Sequence, residues 1–236
     1  MKVCWFSAGV SSFVAAYLER ETLDKIIYIH IDNQHSDSLR FVKDCEKALG
    51  IEIEIVQSPY KSIDNVFLQY RFIARGYYSP KCTEVCKKRV RKEWEHGRKG
   101  LTYVWGMDYN ERHRAEAIVK AMPKQNHVFP LIDRMLTKEE CHGIAAQLRV
   151  KRPVMYDMGY QNNNCIGCVK GGMWYWNKIR VDFPEVFAER ARQERLIGHS
   201  CINGVFLDEL DPTAGRIGDE ISMDCGIMCQ IYSEGA

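Results

Sequence analysis

Strand-like and helix-like segments alternate along the first 130 or so residues, and this alternation restricts the possible folds more than any other feature of the sequence. Four short runs of apolar or β-branched residues predict strands: residues 1–6, 25–31, 51–56 and 101–108. The segments between them show helical periodicity, and Thr137 followed by Glu140 indicates a further helix start. Because parallel strands need such crossover connections, the alternation predicts an α/β fold with a doubly wound, mostly parallel sheet.

The carboxyl ends of the predicted strands indicate where a ligand would bind. In open sheets of this type, ligands lie in the crevice outside the carboxyl ends of the strands. The segments that follow three of the predicted strands are residues 7–12, 32–35 and 106–111. We therefore expect these three segments to converge on one crevice.

The sequence changes character after about residue 150. Residues 1–150 carry the alternating pattern and predict one α/β domain, for which a chain of 236 residues is long enough. Residues 151–236 are rich in turns, aromatic residues and cysteine, and predict a Cys-rich C-terminal extension packed on that domain. Within it, residues 182–195 predict a helix, and the residues from about 200 onward predict a mobile tail.

Charge and hydropathy exclude several classes of protein. The net charge is only +2, so the chain has no polycationic tail of the kind that binds nucleic acid indiscriminately. The longest apolar runs are too short to span a bilayer, and the first residues lack an apolar segment of secretory length. We therefore expect a cytoplasmic protein without a membrane partner.

Ten cysteines are many for a cytoplasmic chain of this length. In a reducing compartment they are not expected to form a disulfide framework. Cys4, Cys45 and Cys141 lie singly in apolar or helical patterns, which is typical of small buried hydrophobic residues, and Cys201 has no evident role. The other six form close pairs: Cys82 with Cys86, Cys165 with Cys168, and Cys225 with Cys229.

The turn between the first strand and the first helix is built for an anion. It consists of Ser7, Ala8, Gly9, Val10, Ser11 and Ser12. Such a turn presents backbone N–H groups, hydroxyl donors and a helix N-terminus, all of which favour phosphate. The turn has neither the lysine of a Walker loop nor a GxGxxG pattern, so an ordinary turn with capping serines remains an open alternative.

This turn resembles the pyrophosphate loop SGGxDS of the adenine-nucleotide α-hydrolase (PP-loop) superfamily, and in particular its sulfonucleotide reductases, which act on PAPS or APS. Ala8 stands in place of the first Gly of the pattern, and Ser11 stands in place of the Asp. The resemblance implies the doubly wound fold predicted above, with an adenosine nucleotide bound at this loop. The missing Asp argues against a magnesium-dependent ATP pyrophosphatase of the usual kind.

Two further segments resemble the same family in the same order. Residues 29–38 are similar to the end of its second strand, which lies at the adenosine of the nucleotide. Residues 106–115 are similar to its pattern Gly-x-Arg-x-x-Glu-Ser-x-x-Arg, with Asp108 in place of the first Arg. The resemblance assigns the following residues to nucleotide binding: His30, Asp32, Gly106, Glu111 and Arg114.

The segment from 152 to 168 carries the most specific resemblance. The sequence pattern of the family in this segment is Pro, followed by Leu-Tyr-Asp-x-Gly-Tyr and then by Gly-Cys-x-x-Cys. The matching residues, in order, are Tyr156, Asp157, Gly159, Tyr160, Cys165 and Cys168.

Two of the cysteine pairs predict a metal site. Cys165 and Cys168 can reach one metal, and Cys82 and Cys86 lie at helical spacing at the start of a basic helix predicted for residues 85–97. Four thiolates suit either a [4Fe–4S] cluster or a structural zinc ion, and both remain open. In the APS-type reductases, a pair of adjacent cysteines and a distant Cys-x-x-Cys hold a [4Fe–4S] cluster.

The third pair and the basic helix complete the candidate residues. The segment around Cys225 resembles the C-terminal Glu-Cys-Gly-Ile/Leu-His of the reductases, which implies that Cys225 is the nucleophile and leaves Cys229 as a possible resolving thiol. Two alternatives are that Cys225 and Cys229 bind a metal ion of their own, or that they are cysteines without a function in a disordered tail. Lys87, Lys88 and Arg91 on the basic helix could neutralise a nucleotide, or the phosphates of RNA or DNA, or simply face solvent.

Two enzymatic hypotheses follow from the resemblance. The first is a sulfonucleotide reductase-like enzyme that attacks APS or PAPS with a thiol and releases sulfite, with a thioredoxin-like electron donor. The second is an iron–sulfur-dependent PP-loop sulfurtransferase that thiolates tRNA or DNA and consumes ATP. A non-enzymatic nucleotide or iron sensor is a third possibility, against which the two C-terminal cysteines argue weakly.

Overall fold

A computed structural model describes residues 1–73, 80–202, 204–218 and 221, and contains one five-stranded parallel sheet. The strands are β1 (Lys2–Phe6), β2 (Lys25–His30), β3 (Ile53–Gln57), β4 (Thr102–Val104) and β5 (Asn126–Val128). Their order across the sheet is β3-β2-β1-β4-β5, and every neighbouring pair is parallel. The prediction of a doubly wound parallel sheet is therefore confirmed.

The helices alternate with the strands and then continue into the C-terminal region. They are α1 (Val10–Glu19), α2 (Asp37–Leu49), α3 (Ile63–Tyr70), α4 (Lys81–Thr83), α5 (Arg89–Glu95), α6 (Arg112–Ala121), α7 (Pro130–Asp133), α8 (Lys138–Gln147), α9 (Val154–Asp157), α10 (Met173–Asp182) and α11 (Pro184–Ile197). A π-helical turn, Glu84–Lys88, joins α4 to α5. Two 3₁₀ turns are Tyr109–Glu111 and Leu207–Glu209.

The strand order places the reversal of the sheet between β1 and β4. In doubly wound sheets the connections on either side of such a reversal lead away from each other, which opens a crevice at the carboxyl ends of the two strands. The loop at residues 7–12 follows β1, and the loop at residues 106–111 lies just beyond β4. The predicted ligand crevice is therefore formed by these two loops.

Two apolar layers cover the faces of the sheet, and a third cluster lies beyond its carboxyl edge. The first layer packs α1, α2 and α8 on one face around Phe6 and Phe41, and the second surrounds Trp5 and Tyr103 on the other. The third cluster surrounds Phe67 and joins the C-terminal region to residues 81–95, which comprise α4, the π turn and α5 and are called the basic segment below. It contains Cys86, Cys165 and Cys168 among its buried members.

Several element boundaries differ from the predictions. The strand predicted for 101–108 is only Thr102–Val104. Helix α3 ends at Tyr70, where Arg71 adopts a left-handed conformation with φ 47°. The basic helix starts earlier than expected, at Lys81, and contains the π turn. The capping box of Thr137 and Glu140 is confirmed, since each side chain bonds the other's backbone N–H.

The C-terminal region has more structure than its sequence indicates. Helix α10 was not predicted, because its aromatic-rich sequence has no clear amphipathic period and follows two glycines. The tail expected from about residue 200 is also packed over residues 204–218. Leu207 is fully buried there, and Arg180 of α10 donates to the carbonyls of Leu207 and Leu210 at 3.2 and 2.7 Å.

None of the helices in the described part of the chain combines the length and the apolar character that a membrane crossing requires.

Candidate functional site

The phosphate-loop candidate at residues 7–12 is organised by its own serines. Ser12 Oγ donates to the carbonyl of Gly9 at 2.8 Å and accepts from Ser7 Oγ at 3.0 Å. The backbone N–H of Gly9 donates to Ser7 Oγ at 3.3 Å. Gly9 is also the N-cap of α1 and brings no capping side chain. The first turn of α1 therefore keeps the electropositive character that favours an anion.

Ala8 holds a conformation that normally belongs to glycine. Its φ is 58°, in the left-handed region, which costs an alanine about 1–2 kcal/mol. The residue is fully buried, and its carbonyl accepts from Asn163 Nδ2 at 2.9 Å. The same amide lies 3.0 Å from Ser38 Oγ. An asparagine of the C-terminal segment thus holds the strained turn in place.

Tyr156 provides a second contact between the C-terminal segment and the loop. Its hydroxyl accepts from the backbone N–H of Val10, the first residue of α1, at 3.4 Å. His142 packs edge-on against the ring of Tyr156, with 4.7 Å between ring centroids. The most specific sequence motif, residues 152–168, therefore supports the phosphate-loop candidate directly.

Ser11 occupies the position at which the PP-loop pattern has Asp. It is buried, and among the described residues its Oγ has no hydrogen-bond partner that meets geometric criteria. It lies beside the thiol of Cys141, whose pKa is raised to about 12 mainly by burial. This position therefore presents a neutral hydroxyl and a neutral thiol instead of a carboxylate.

Gly106 brings the second loop into backbone contact with the first. A Cβ atom at this position would lie 2.4 Å from the Cα of Ser12. Beyond it, Asp108 is buried and accepts from the backbone N–H of Asn110 at 2.9 Å. Glu111 forms an ion pair with the buried Arg114. The two loops are thus in direct contact beyond the carboxyl ends of β1 and β4.

His30 and Asp32 lie at the end of β2, on the other side of the crevice. His30 Nε2 is 3.7 Å from Asp32 Oδ1, and Gln57 Nε2 donates to the same oxygen at 3.2 Å. Partial burial lowers the pKa of His30; the nearby Asp32 opposes this effect and Lys87 adds to it. The interaction with Lys87 shows that the basic segment approaches this end of β2.

The backbone around Cys165 is attached to the loop that follows β2. Gln34 and Cys165 form an antiparallel bridge, and the N–H of Ile166 donates to the carbonyl of Asn33 at 2.8 Å. Tyr175 lies beneath, where its hydroxyl accepts from the N–H of Cys168 at 3.0 Å. Tyr175 therefore belongs to the same buried cluster as the cysteine pair.

A small cavity lies between the basic segment and the Cys165 loop. Its volume is about 20 Å³, which holds about one water molecule or one ion. The residues that line it are Ile31, Ile63, Cys82, Thr83, Lys87, Cys165, Cys168 and Val169. Three of the four predicted metal-binding cysteines therefore surround one space. Cys86 is fully buried but does not belong to its lining.

The donor set of this cavity suits a thiophilic metal, and its present size suits a single ion. Thiolates select zinc and iron–sulfur clusters, whereas a four-iron cluster would need the surrounding side chains to move apart. Within the described residues, no three side chains of His, Cys, Asp or Glu lie close enough to share one metal. The thiols line the wall without converging, so binding would require rotation about their Cα–Cβ bonds.

The remaining basic candidates lie apart from one another. Lys87 is buried beside the cavity, and Lys88 is half-buried. Arg91 is buried on the opposite side of the helix, where its Nε is 3.4 Å from Glu95 Oε1 and its guanidinium contacts Met122 Sδ. The charge of Arg91 is therefore already paired within the second apolar layer.

A buried polar network behind the cysteine cavity was not found from the sequence. Arg190 of α11 contacts Asp64 at 3.0 Å and Gln193 Oε1 at 2.7 Å, and Asp64 accepts from Asn33 Nδ2 at 2.6 Å. Glu194, also on α11, accepts hydrogen bonds from the backbone N–H groups of Cys201 and Leu207. Burial raises the pKa of Glu194. These partners are distant in sequence, so no local pattern signals them.

The predicted nucleophile Cys225 and its neighbour Cys229 lie outside the described residues. No contact is therefore assigned to either thiol, and their roles stay predictions.

The sequence model of one protein family, the phosphoadenosine phosphosulfate reductase domain, matches residues 2–171 of this chain. The chain belongs to this family. The match includes the crevice loops and all four cysteines of the two pairs near the cavity, and it ends before the C-terminal pair. PAPS reductase domains are themselves part of the adenine-nucleotide α-hydrolase-like superfamily, so the suspected relationship is confirmed.

Individual relatives of this PAPS reductase-family chain are distant. An uncharacterized protein of Methanocaldococcus jannaschii is 25% identical over 194 residues, which are 77% of this chain but only 39% of that protein. The chain thus spans about two-fifths of the length of this relative. A crystal structure of PAPS reductase from Candida auris, in complex with phosphate, aligns with a TM-score of 0.47 at 14% identity. The alignment covers 67% of this chain and 78% of the other.

Proposed function

We propose that the protein is a sulfonucleotide reductase-like enzyme that binds APS or PAPS and releases sulfite. One observation carries the proposal: the loops at residues 7–12 and 106–111 meet at the reversal of the parallel sheet, inside the region that matches the PAPS reductase domain. This is the position at which doubly wound sheets bind nucleotides.

In the proposed complex, the phosphates of the nucleotide lie against the first turn of α1. The backbone N–H groups there carry partial positive charge, and the serine hydroxyls hold the turn in shape. The adenosine lies toward His30 and Asp32 at the end of β2. Lys87 adds positive charge near that end, which a polyanionic nucleotide requires, and we expect Lys88 to add to it.

The proposed reaction is a transfer of the sulfonate group to sulfur. The thiolate of Cys225 attacks the sulfur atom of the phosphosulfate, a new S–S bond forms, and the bond from sulfur to the phosphate oxygen breaks. The nucleotide leaves with that oxygen and its electron pair. A second thiolate, from Cys229 or from a thioredoxin-like dithiol, then attacks the Cys225 sulfur, which releases sulfite and leaves a disulfide.

We further propose that the cysteines around the small cavity bind a [4Fe–4S] cluster, with zinc as the alternative. The thiol donors support either group, and the volume of the cavity favours the smaller one. When bound, either group would hold the segment around Cys82 and the loop around Cys165 together through their thiolates. The buried Lys87 offsets part of the negative charge of the thiolates.

A second candidate function is an ATP-dependent sulfurtransferase that thiolates tRNA or DNA. The observation in its favour is the exposed basic surface of α5, where Arg89 and Lys92 both face solvent. Such a surface attracts a phosphate backbone. Ser11 in place of the Asp of the PP-loop pattern disfavours this function, because magnesium-assisted ATP cleavage needs carboxylate ligands near the phosphates; Asp108, which lies near Cys141 on the adjoining loop, is the carboxylate that could take this role.

The decisive experiment uses protein purified without oxygen. Iron, sulfide and zinc are quantified first, and sulfite release is then measured with APS or PAPS and a dithiol donor. ATP consumption is measured in parallel with tRNA and with DNA. Sulfite release that is abolished in Cys225→Ser and retained in Cys45→Ala supports the reductase.

Cys45 is a suitable control because it is fully buried in the first apolar layer, away from the cavity. Consumption of ATP only in the presence of a nucleic acid, without sulfite release, would instead support the sulfurtransferase. Sulfite release that is unchanged in Cys225→Ser would overturn the proposed nucleophile.

A further inference from the structure

A second and larger pocket lies between α3 and α5, and we call it the α3–α5 groove. Its volume is about 790 Å³. Each helix lines the groove with two residues that are one turn apart: Asn65 and Gln69 on α3, and Arg89 and Glu93 on α5. Tyr60, in the loop between β3 and α3, also belongs to the lining. Pockets of this size accommodate ligands as large as a nucleotide.

The aromatic side chain in the groove is held by several neighbours. The hydroxyl of Tyr60 lies 2.8 Å from that of Tyr70, and the carbonyl of Tyr60 accepts from Asn65 Nδ2 at 2.8 Å. The guanidinium of Arg89 interacts with both tyrosine hydroxyls. Lys81 Nζ lies 5.0 Å from the centre of the Tyr70 ring. Tyr60 is therefore ordered before any ligand arrives, so stacking on its ring costs little conformational entropy.

The polar side chains of the groove match the edge of a nucleobase and its phosphate. The amide of Gln69 can donate and accept hydrogen bonds, and the carboxylate of Glu93 can accept from an exocyclic amino group. The guanidinium of Arg89 has the fork geometry that suits a phosphate. All three residues are exposed. Since base pairing occupies the edges and faces of bases in a duplex, an unpaired base fits this combination of groups best.

Positive charge surrounds the groove. Lys61 and Arg71 lie at the two ends of α3, and Lys92 follows Arg89 on α5; all four side chains belong to exposed residues. Among the described lining residues, Glu93 is the one acid. Such an excess of exposed cations attracts a polyanion, and a phosphate backbone is the polyanion that also carries bases for the groove.

The groove begins beside the end of β2, where the candidate nucleotide site ends. The N–H of Asp32 donates to the carbonyl of Lys61 at 2.9 Å, and the N–H of Ser58 donates to the carbonyl of His30 at 3.2 Å. Tyr60 therefore belongs to a short segment, residues 58–61, that is hydrogen-bonded at both ends to the end of β2. A strand with one base on Tyr60 would bring its neighbouring nucleotides toward His30 and Asp32.

We propose that the α3–α5 groove binds single-stranded nucleic acid. An unpaired base stacks on Tyr60, its edge is read by Gln69 and Glu93, and the adjoining phosphate is bound by Arg89. This inference goes beyond the proposed reductase reaction and does not rest on it, because the groove is separate from the phosphate-loop candidate and from the cysteine cavity.

The test measures fluorescence anisotropy of labelled oligonucleotides about 12 nucleotides long, titrated with the full chain. RNA and DNA of mixed sequence are each used as single strands and as duplexes, and the single strands should bind more tightly than the duplexes. Tyr60→Leu should weaken binding of the single strands about tenfold, because it removes the stacking surface. Tyr60→Phe keeps the ring and should retain nearly the wild-type affinity.

The salt dependence of binding tests the phosphate contact. Arg89→Gln should reduce the slope of log K against log salt concentration by about 0.7, the value for one phosphate contact on a single strand. Arg192→Gln is the matched control, because Arg192 is an exposed arginine of α11 outside the groove, and its slope should equal that of the wild type. Circular dichroism and thermal unfolding establish that each variant is folded before affinities are compared.

Cross-linking locates the bound base without any substitution in the protein. A single strand that contains 5-iodouridine is irradiated in complex with the wild-type chain, and the cross-linked peptide is identified by mass spectrometry. The peptide should contain Tyr60. A cross-link confined to a peptide outside residues 58–70 and 89–93 would overturn the assignment to this groove.

The other outcomes are equally decisive. Equal affinity for single strands and duplexes, unchanged in Tyr60→Leu, would show a purely electrostatic surface and overturn the inference. Binding of poly-glutamate with the same dependence on Tyr60 would show a site for acidic polypeptides and would overturn it as well. Failure of the wild-type chain to bind any of the oligonucleotides would overturn it whether or not sulfite is released from APS or PAPS, so the two proposals fail separately.

Discussion

The side-chain amide of Asn163 donates a hydrogen bond to the backbone carbonyl of Ala8, with 2.9 Å between nitrogen and oxygen. Both residues are buried, and Ala8 is the residue that holds a left-handed conformation in the phosphate-loop candidate. The geometry of the phosphate-loop candidate therefore depends on a residue from the opposite end of the family-matched region. Neither the loop sequence nor the motif around Asn163 indicates this contact by itself.

Replacement of Asn163 by alanine should weaken both the fold and nucleotide binding. The variant leaves the carbonyl of Ala8 and the hydroxyl of Ser38 without this donor, which should lower the free energy of unfolding by about 1–3 kcal/mol. Asn177→Ala is the matched control, because its amide also donates to two partners, the carbonyls of Asp211 and Ala214. Denaturant unfolding and calorimetric titration with adenosine nucleotide should show reduced affinity only in Asn163→Ala.

Alanine substitutions at two glycines should have opposite effects on stability. Gly106→Ala should destabilise the protein by about 2 kcal/mol and impair nucleotide binding, because its Cβ would collide with the backbone of Ser12. Gly143→Ala should stabilise by about 0.5–1 kcal/mol, since Gly143 lies within α8 and its Cβ would meet no atom within 4 Å. Equal effects of the two substitutions on urea unfolding would contradict the close approach of the two loops.

Two arginines of α11 should differ sharply in their contribution to stability. Arg190→Leu removes the buried partner of an ion pair with the half-buried Asp64 and should lower the free energy of unfolding by about 2 kcal/mol. Arg195 pairs with Asp208 and Glu209 at the surface, so Arg195→Leu should have a much smaller effect. Thermal unfolding of the two variants provides the comparison, and similar melting temperatures would argue against the buried network.

Asp37 should make stability depend on pH in the acidic range. The hydrogen bond from Arg40 lowers the pKa of Asp37 most, and the backbone N–H of Val154 lowers it further. The folded state thus releases this proton at lower pH than the unfolded chain. Its contribution to stability is present above the ordinary pKa of an aspartate and disappears as the pH falls through the lowered pKa of the folded state.

The measurement for Asp37 is the free energy of unfolding from pH 7 to pH 3 in the wild type and in Asp37→Asn. The variant should be less stable at pH 7, and the difference should shrink toward pH 3. Asp44→Asn is the matched control, because it also removes an acceptor of Arg40 but leaves the contact between Asp37 and Val154 intact. A constant difference across the whole pH range would show that ionisation of Asp37 is not involved.

Local patterns predicted the parts of this protein that depend on local physics. The alternation of strands and helices gave the parallel sheet, and the capping box at Thr137 marked the start of α8, because period and cap are properties of a few neighbouring residues. The serines of the phosphate-loop candidate were also identified in this way. The proximity of the loops at residues 7–12 and 106–111 could be predicted because the carboxyl ends of parallel strands lie at the same edge of a sheet.

The rest depends on interactions that no local pattern contains. The spacing of Cys82 and Cys86 predicted a shared face, but the π turn places Lys87 there instead. A single inserted residue in the hydrogen-bond ladder is stabilised by its surroundings, and the sequence carries no cap or period that signals it. The pairing of Arg190 with Asp64 likewise joins positions that only the tertiary fold brings together.

The hydrogen bond between Asn163 and Ala8 has a consequence for the order of events during synthesis. The two residues are 155 positions apart, so at about 5–20 residues per second the ribosome adds Asn163 roughly 8–30 s after Ala8. Throughout that interval β1 and its turn exist without the amide that holds Ala8 in place. A nascent chain that has only its first half outside the ribosome should therefore have a sheet in formation but no complete pocket, and nucleotide should bind only after the C-terminal segment has emerged.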